Sequence, residues 1–194
     1  MVDLCSLNAD LAHLHVSVQK LSSKRILILA TDGFEQSELE VPQKKLTALG
    51  AKVDVTSPQT GSIKGWKHTD WGNKVTVDLP LADADAKDYD ALVLPGGQMN
   101  PDALRLEPKA IELIKAFAAA GKPVAAVCHA PWLLIDAGLV KGRKVTSWPS
   151  VRTDLRNAGA TVVDQSAVID QGIITSRKPD DLDDFVDAIA SQLG

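Results

Sequence analysis

The sequence predicts an α/β fold: a flavodoxin-like, doubly wound, mostly parallel sheet with helices on both faces. Three observations support this expectation. Short, continuous apolar runs such as residues 25–30 and 124–127 recur along the chain and read as strands buried on both faces. Segments with helix signals alternate with these runs. Gly and Pro punctuate the junctions, as at Gly33, Gly50, Gly121-Lys122-Pro123 and Gly138.

Composition narrows the class of function. The 194 residues are 45% hydrophobic and 24% charged, which suits one globular domain with enough chain to bury a core. A net charge of −4, with no basic cluster larger than pairs such as Lys44-Lys45, argues against a nucleic-acid groove or an anionic membrane surface as the main partner. No apolar run approaches the ~20 residues that span a bilayer. The two cysteines, Cys5 and Cys128, form no disulfide framework, and a reducing cytoplasm is the expected compartment. His13, His15, His68 and His129 are scattered without ligand spacing, so no metal site is expected. Gly96-Gly97 lacks the glycine pattern of a dinucleotide loop and is followed by no P-loop lysine, so no nucleotide cofactor is expected either.

Residues 1–23 form an N-terminal amphipathic extension, and residues 24–194 form the α/β domain. In the extension Leu4, Leu7, Leu11, Leu14, Val18 and Leu21 repeat at alternating steps of three and four, giving one apolar helical stripe. Asp3, Asp10 and the lack of a basic start argue against a signal peptide. The stripe must pack either on its own domain or on a second subunit.

Within the domain, residues 25–30 are the first strand, and Thr31-Asp32-Gly33 breaks it before an acidic start to a helix that ends near Gly50. Residues 52–57 are the next strand. The span 61–73, with three glycines, Trp66, His68 and Trp71, reads as a long loop, and residues 75–78 as a short edge strand. Residues 89–94 run into Pro95-Gly96-Gly97, whose glycines permit close backbone approach to a ligand. Helices are predicted over 108–120 and 151–157. Residues 167–170 and 173–176 flank Gln171-Gly172 as a hairpin, and residues 180–193 form a final helix whose acidic first turn suits the macrodipole.

The segment around Cys128 carries the chemistry. The strand 124–127 leads directly into Cys128, and Pro131 with Gly138 brackets a short helix, so the cysteine sits in a tight strand-to-helix turn. Free N–H groups at a helix start favour the thiolate, the form of cysteine that attacks carbonyls, and His129 adds a titratable imidazole. A buried core cysteine beside a satisfied histidine is the plain alternative; the strand–turn–helix context favours the nucleophile. Ligands in such sheets bind beyond the carboxyl ends of the strands, where the turns at 31–38, 95–100 and 128–130 converge. A protonated carboxyl near the sulfur can donate to the thiolate, and the Gly97 and His129 amides can face an oxyanion. His68 with Trp66 and Trp71 either lines a substrate pocket or forms a packed aromatic loop.

Four stretches, Phe34-Glu35-Gln36-Ser37-Glu38-Leu39, Asp90-Ala91-Leu92-Val93-Leu94-Pro95-Gly96-Gly97, the run from Gly121 through Cys128-His129-Ala130-Pro131, and Thr175-Ser176-Arg177-Lys178-Pro179-Asp180, resemble the ThiJ/PfpI family within the class I glutamine amidotransferase-like fold. The resemblance spans residues 24–193 and is strongest to the PfpI branch. It implies a nucleophile at Cys128, its acid/base partner at His129, and a buried carboxyl against the sulfur at Glu38. It also implies a third triad member just after the Gly-Gly turn, a glutamate supplied by a neighbouring subunit, whose matching position is Asp102. This chain departs in having that shorter acid and Cys-His-Ala in place of Cys-His-Gly. With no histidine after His129, ammonia transfer from glutamine is not expected.

The expected function is therefore that of a cofactor-independent cysteine enzyme acting on reactive carbonyls in stress protection, as a methylglyoxal glyoxalase or protein deglycase. The alternatives are an intracellular cysteine peptidase, and a redox-sensing or chaperone-like protein with little turnover. Gly96, Gly97, His129 and His68 are the expected oxyanion and substrate contacts. The expected partners are a small carbonyl compound, a glycated protein or a peptide, and copies of the chain itself in a homodimer or larger assembly.

Overall fold

β1 (Arg25–Leu29) lies inside the main sheet with a strand on either side, as suits a strand whose two faces are both apolar. Successive residues of a strand point to opposite faces. Accordingly Leu27 and Leu29 join one hydrophobic layer, while Ile26 and Ile28 join the other. A computed structural model describes residues 20–194, so the stripe from Leu4 to Val18 and Cys5 lie outside the described residues. Leu21, the last position of that stripe, is fully buried, and its N–H donates to the Leu49 carbonyl.

The main sheet has the order β10-β11-β7-β6-β1-β2-β5. Its strands are β2 (Lys52–Ser57), β5 (Leu79–Pro80), β6 (Ala91–Leu94), β7 (Val124–Val127), β10 (Ala167–Asp170) and β11 (Ile173–Ser176), together with β1. All neighbours pair in parallel except β10, which pairs antiparallel with β11 as the predicted hairpin. One face is covered by α3 (Pro108–Ala119), through Ala110, Leu113, Ile114 and Phe117. The other is covered by α1 (Gln36–Ala48) and α6 (Leu182–Leu193), with Leu39, Leu46, Phe185 and Ile189 in the layer. The doubly wound, mostly parallel α/β architecture is as the sequence predicts.

Two local readings are corrected, and three short elements are added. The span 61–73 is not a loop but an antiparallel hairpin, β3 (Ser62–Lys67) and β4 (Asp70–Thr76), with its register shifted at Gly65. Gly65 and Gly72 serve close packing rather than flexibility. A Cβ at Gly65 would lie 3.1 Å from the Phe34 ring, and one at Gly72 would lie 1.9 Å from Gln36 Oε1, so the ribbon rests against the start of α1. The edge strand is not 75–78 but β5, two residues long, where Pro80 sits at the sheet border. Finally, α2 (Met99–Leu104) follows the Gly-Gly turn, and β8 (Lys144–Val145) pairs in parallel with β9 (Thr161–Val162) in a separate two-stranded sheet. These elements are too short for a periodic signal. The helix expected over 151–157 is α5 (Arg152–Asn157) after a 3-10 turn at Pro149–Val151.

Candidate active site

The turn after β7 holds Cys128 with φ of 64°, a conformation that non-glycine residues rarely adopt. Such a conformation costs on the order of 1–3 kcal/mol and persists where surrounding contacts fix it. Here the Cys128 N–H donates to the Ser176 carbonyl of β11 at 3.0 Å, and its carbonyl accepts from the Trp148 N–H at 2.9 Å. The short helix α4 (Pro131–Asp136) then starts with proline in its first turn. This is the strand–turn–helix elbow expected from the sequence.

Two other turns close around it. Adding a Cβ at Gly96 would bring it to 2.6 Å from Glu38 Oε2, 2.6 Å from the Val127 carbonyl and 2.9 Å from Cys128 Cβ. At Gly97, with φ of 75°, a Cβ would meet the Gly33 carbonyl at 2.5 Å. Asn100, fully buried at the start of α2, ties the turns together. Its amide donates to the Pro95 and Gly96 carbonyls at 2.8 and 3.1 Å, and its Oδ1 accepts from the Thr31 N–H at 2.8 Å. The sequence reading gave Asn100 no role. A polar side chain three residues after the Gly-Gly pair was the available signal.

Glu38 projects from the first turn of α1 and is completely buried. Its Oε2 accepts from the Gly96 N–H at 2.8 Å, Oε1 has no hydrogen-bond partner among the described residues, and the carboxyl lies within reach of Cys128. Burial pushes this carboxyl up to about 8, against the opposing pull of the Gly96 amide and the Cys128 contact. Glu38 is therefore protonated at neutral pH and can donate to the sulfur. Burial also pushes the Cys128 thiol up, and an ionised Glu38 pushes it further. A protonated Glu38 reverses its own part of that effect, and the His129 and Gly97 amides, which face the sulfur, act in the same thiolate-favouring direction.

His129 Nδ1 lies 3.2 Å from Cys128 Sγ. Burial lowers the imidazole pKa, so the ring is neutral near pH 7 and can accept the thiol proton. Trp148 stacks on the ring at 6.0 Å and Trp132 meets it edge-on at 5.3 Å, which fixes its plane. Its Nε2 is 3.4 Å from Ser150 Oγ, a partner absent from the sequence reading.

These groups open onto a cavity of about 340 Å³, whose walls also include Glu35, Trp66, His68, Gln98, Trp148 and Pro179. His68 thus belongs to the pocket wall, at the hairpin tip with φ of 56°. Trp66 lines the cavity, whereas Trp71 packs edge-on against it at 5.4 Å from outside. Glu35, Gln98 and Trp148 escaped the sequence reading because only the hairpin and the 148–150 turn, distant in sequence, make them neighbours. Asp102 sits exposed on α2, outside the cavity lining, and no hydrogen bond joins it to His129 within one chain. Beyond Trp148 a second cavity of about 330 Å³ contains Arg152 and Arg177, both paired with Asp164.

Among the described residues no group of three or more His, Cys, Asp or Glu side chains is arranged to hold a metal ion. Among the same residues no helix is long and apolar enough to cross a membrane.

The chain is similar over most of its length to proteins from bacteria, archaea and an insect. A Bacillus subtilis protein named as a candidate cysteine protease, YraA, is 44% identical over 163 residues, covering 84% of this chain and 94% of that protein. The deglycase TK1284 of Thermococcus kodakarensis is 46% identical over 158 residues, covering 81% of this chain and 92% of its own. Drosophila melanogaster DJ-1beta superposes with a TM-score of 0.80 at 31% identity, covering 88% of this chain and 90% of that one. A two-domain Anabaena variabilis protein, with DJ-1/ThiJ/PfpI-like and ferritin-like domains, superposes with a TM-score of 0.84 at 36% identity, over 89% of this chain and 48% of that one. The DJ-1/PfpI family model matches residues 24–192, and together with the cysteine elbow and its buried glutamate this makes the chain a member of the DJ-1/PfpI family.

Proposed function

We propose that this protein is a Cys128-dependent enzyme acting on reactive carbonyls, converting methylglyoxal to lactate and releasing early carbonyl adducts from protein amines in stress protection. The observation that carries this reading is the Cys128 sulfur, held at a strained elbow 3.2 Å from a neutral imidazole and beside a wholly buried carboxyl. The similarity to deglycases supports the same choice.

The residues account for each proton. Cys128 passes its thiol proton to His129 Nδ1, and the sulfur adds to the aldehyde carbon, giving a hemithioacetal. Glu38, Gly97 and His129 N–H stabilise the negative charge as it moves between sulfur and the new oxyanion. His129 then moves a proton from the former aldehyde carbon to the adjacent one, and the product is a thioester of lactic acid. Water cleaves it, releasing lactate and regenerating the thiol. With an amine adduct, the S–C bond forms as the C–N bond breaks, and the amine leaves with a proton. These steps balance without an external oxidant or reductant.

In this reading Asp102 acts across an interface between copies of the chain, meeting the His129 edge now occupied by Ser150, in a cytoplasmic homodimer or larger assembly. Peptide hydrolysis by the same residues is the second reading, favoured by the YraA similarity; Cys128 then forms an acyl-enzyme. The deciding experiment measures methylglyoxal loss and lactate formation in metal-free buffer for wild type and Cys128→Ser. Lactate formed by the wild type and lost in the serine variant is expected. No lactate from folded, reduced wild type would discard the carbonyl reading and leave peptide substrates to be tested for a trapped acyl-enzyme.

A further inference from the structure

We propose that Glu35 is the amine-recognising residue of the cleft, so that the site selects carbonyl adducts carried by a cationic amino group over neutral or anionic ones. The inference rests on the carbonyl-enzyme reading and names the substrate feature it selects.

Glu35 stands at the N-cap of α1, yet its side chain caps no helix N–H. Instead it lines the cavity that contains Cys128. The His68 backbone N–H approaches this carboxyl, while its Oε1 is buried and has no hydrogen-bond partner among the described residues. A buried acceptor left unpaired costs about 1–3 kcal/mol, so a donor brought by the substrate recovers that cost. Burial raises the Glu35 carboxyl and His68 opposes the shift; a cationic donor stabilises the carboxylate further.

The rest of the cavity suits the same ligand. No Lys or Arg is among its lining residues, and the other titratable groups facing it are Glu38, His68, Cys128 and His129. Three of the cations nearby are engaged elsewhere: Lys64 Nζ lies 5.6 Å over the Trp71 ring, and Arg152 and Arg177 hold Asp164. Trp66 and Trp148 line the cavity with indoles, whose faces attract ammonium and guanidinium groups. An anionic carbonyl compound would meet Glu35 with no lysine or arginine in the cavity lining to compensate. A lysine or arginine side chain bearing an aldehyde adduct offers a donor to Glu35 while its carbinol carbon approaches Cys128.

The test uses full-length Cys128→Ser protein, which separates binding from turnover. The indole N–H signals are followed by NMR during titration with n-butylammonium, n-butanol and n-butyrate. The expected result is butylammonium binding about tenfold or more tighter than either other probe, the effect of one hydrogen bond to a charged group. Glu35→Gln should remove that preference and Glu35→Asp should keep part of it. Equal binding of the three probes, or a preference that survives Glu35→Gln, would overturn the proposal. If Glu35→Gln fails to fold, the three-probe comparison with Glu35 intact decides. In turnover, Glu35→Gln should raise KM for a methylglyoxal adduct of lysine amide about tenfold more than KM for free methylglyoxal. Absence of turnover in wild type would remove the carbonyl reading, whereas the titration judges Glu35 without it.

Discussion

The Gly96 N–H donates to Glu38 Oε2 at 2.8 Å, and the position of Gly96 leaves no room for a side chain between that carboxyl and the cysteine elbow. The first, central and elbow strands thus converge on one contact. Gly96→Ala should place a methyl within 2.6 Å of both Glu38 Oε2 and the Val127 carbonyl, and backbone cannot yield as a flexible side chain can. A loss of about 1–3 kcal/mol in urea unfolding is expected for such overpacking, with activity lost beyond what stability explains.

Glu38 gives the fold a defined pH dependence. Its folded value of about 8 lies above the ordinary 4.5, so the native state binds more protons than the unfolded state between those values. Stability contributed by the protonated form is fully present below the ordinary value and is lost as pH rises toward 8 and beyond. The loss is on the order of 1.4 kcal/mol per unit across that window. Unfolding measured from pH 5 to 9 should show the decline, and Glu38→Gln should flatten it. An unchanged slope in the glutamine variant would refute the assignment.

The same substitution bears on the nucleophile. Glutamine at 38 donates a weaker hydrogen bond than a carboxylic acid, so Cys128 should be alkylated by iodoacetamide with a midpoint at higher pH than in wild type. The loss in kcat/KM should be about 100-fold or greater.

His129 predicts the acidic limb of the activity profile. Burial favours the neutral ring, so activity should persist below the usual histidine value of 6.5 and fall only as the ring becomes protonated at lower pH. His129→Asn should lower kcat/KM by about 10²–10⁴-fold and abolish that limb. A limb at or above the ordinary histidine value would mean that another group controls it.

Asp102 is exposed in one chain, and its proposed role requires a neighbour. Asp102→Asn should lower kcat/KM about tenfold or more while leaving the unfolding midpoint within ~0.5 kcal/mol of wild type, as for a surface substitution. Light scattering should find an oligomer, with activity falling on dilution. A fully active monomer would remove Asp102 from the mechanism.

The short apolar strands, the Gly-Gly turn and the Cys128 elbow were legible in the sequence because each rests on local chemistry: periodicity, glycine freedom and the order of residues across one turn; Glu38 was assigned to the sulfur by the family resemblance alone. That local information placed three turns on one sheet edge and identified Cys128 and His129. Tertiary structure alone decided which groups meet there. Trp148 and Ser150 reach His129 across about 20 residues of chain. Glu35 and His68 share the cavity wall because a glycine-rich hairpin packs against α1, which sequence reading took for a loop. Periodicity reports the burial pattern of one element, whereas these contacts depend on how separate elements approach, and that is determined by packing at Gly65, Gly72, Gly96 and Gly97.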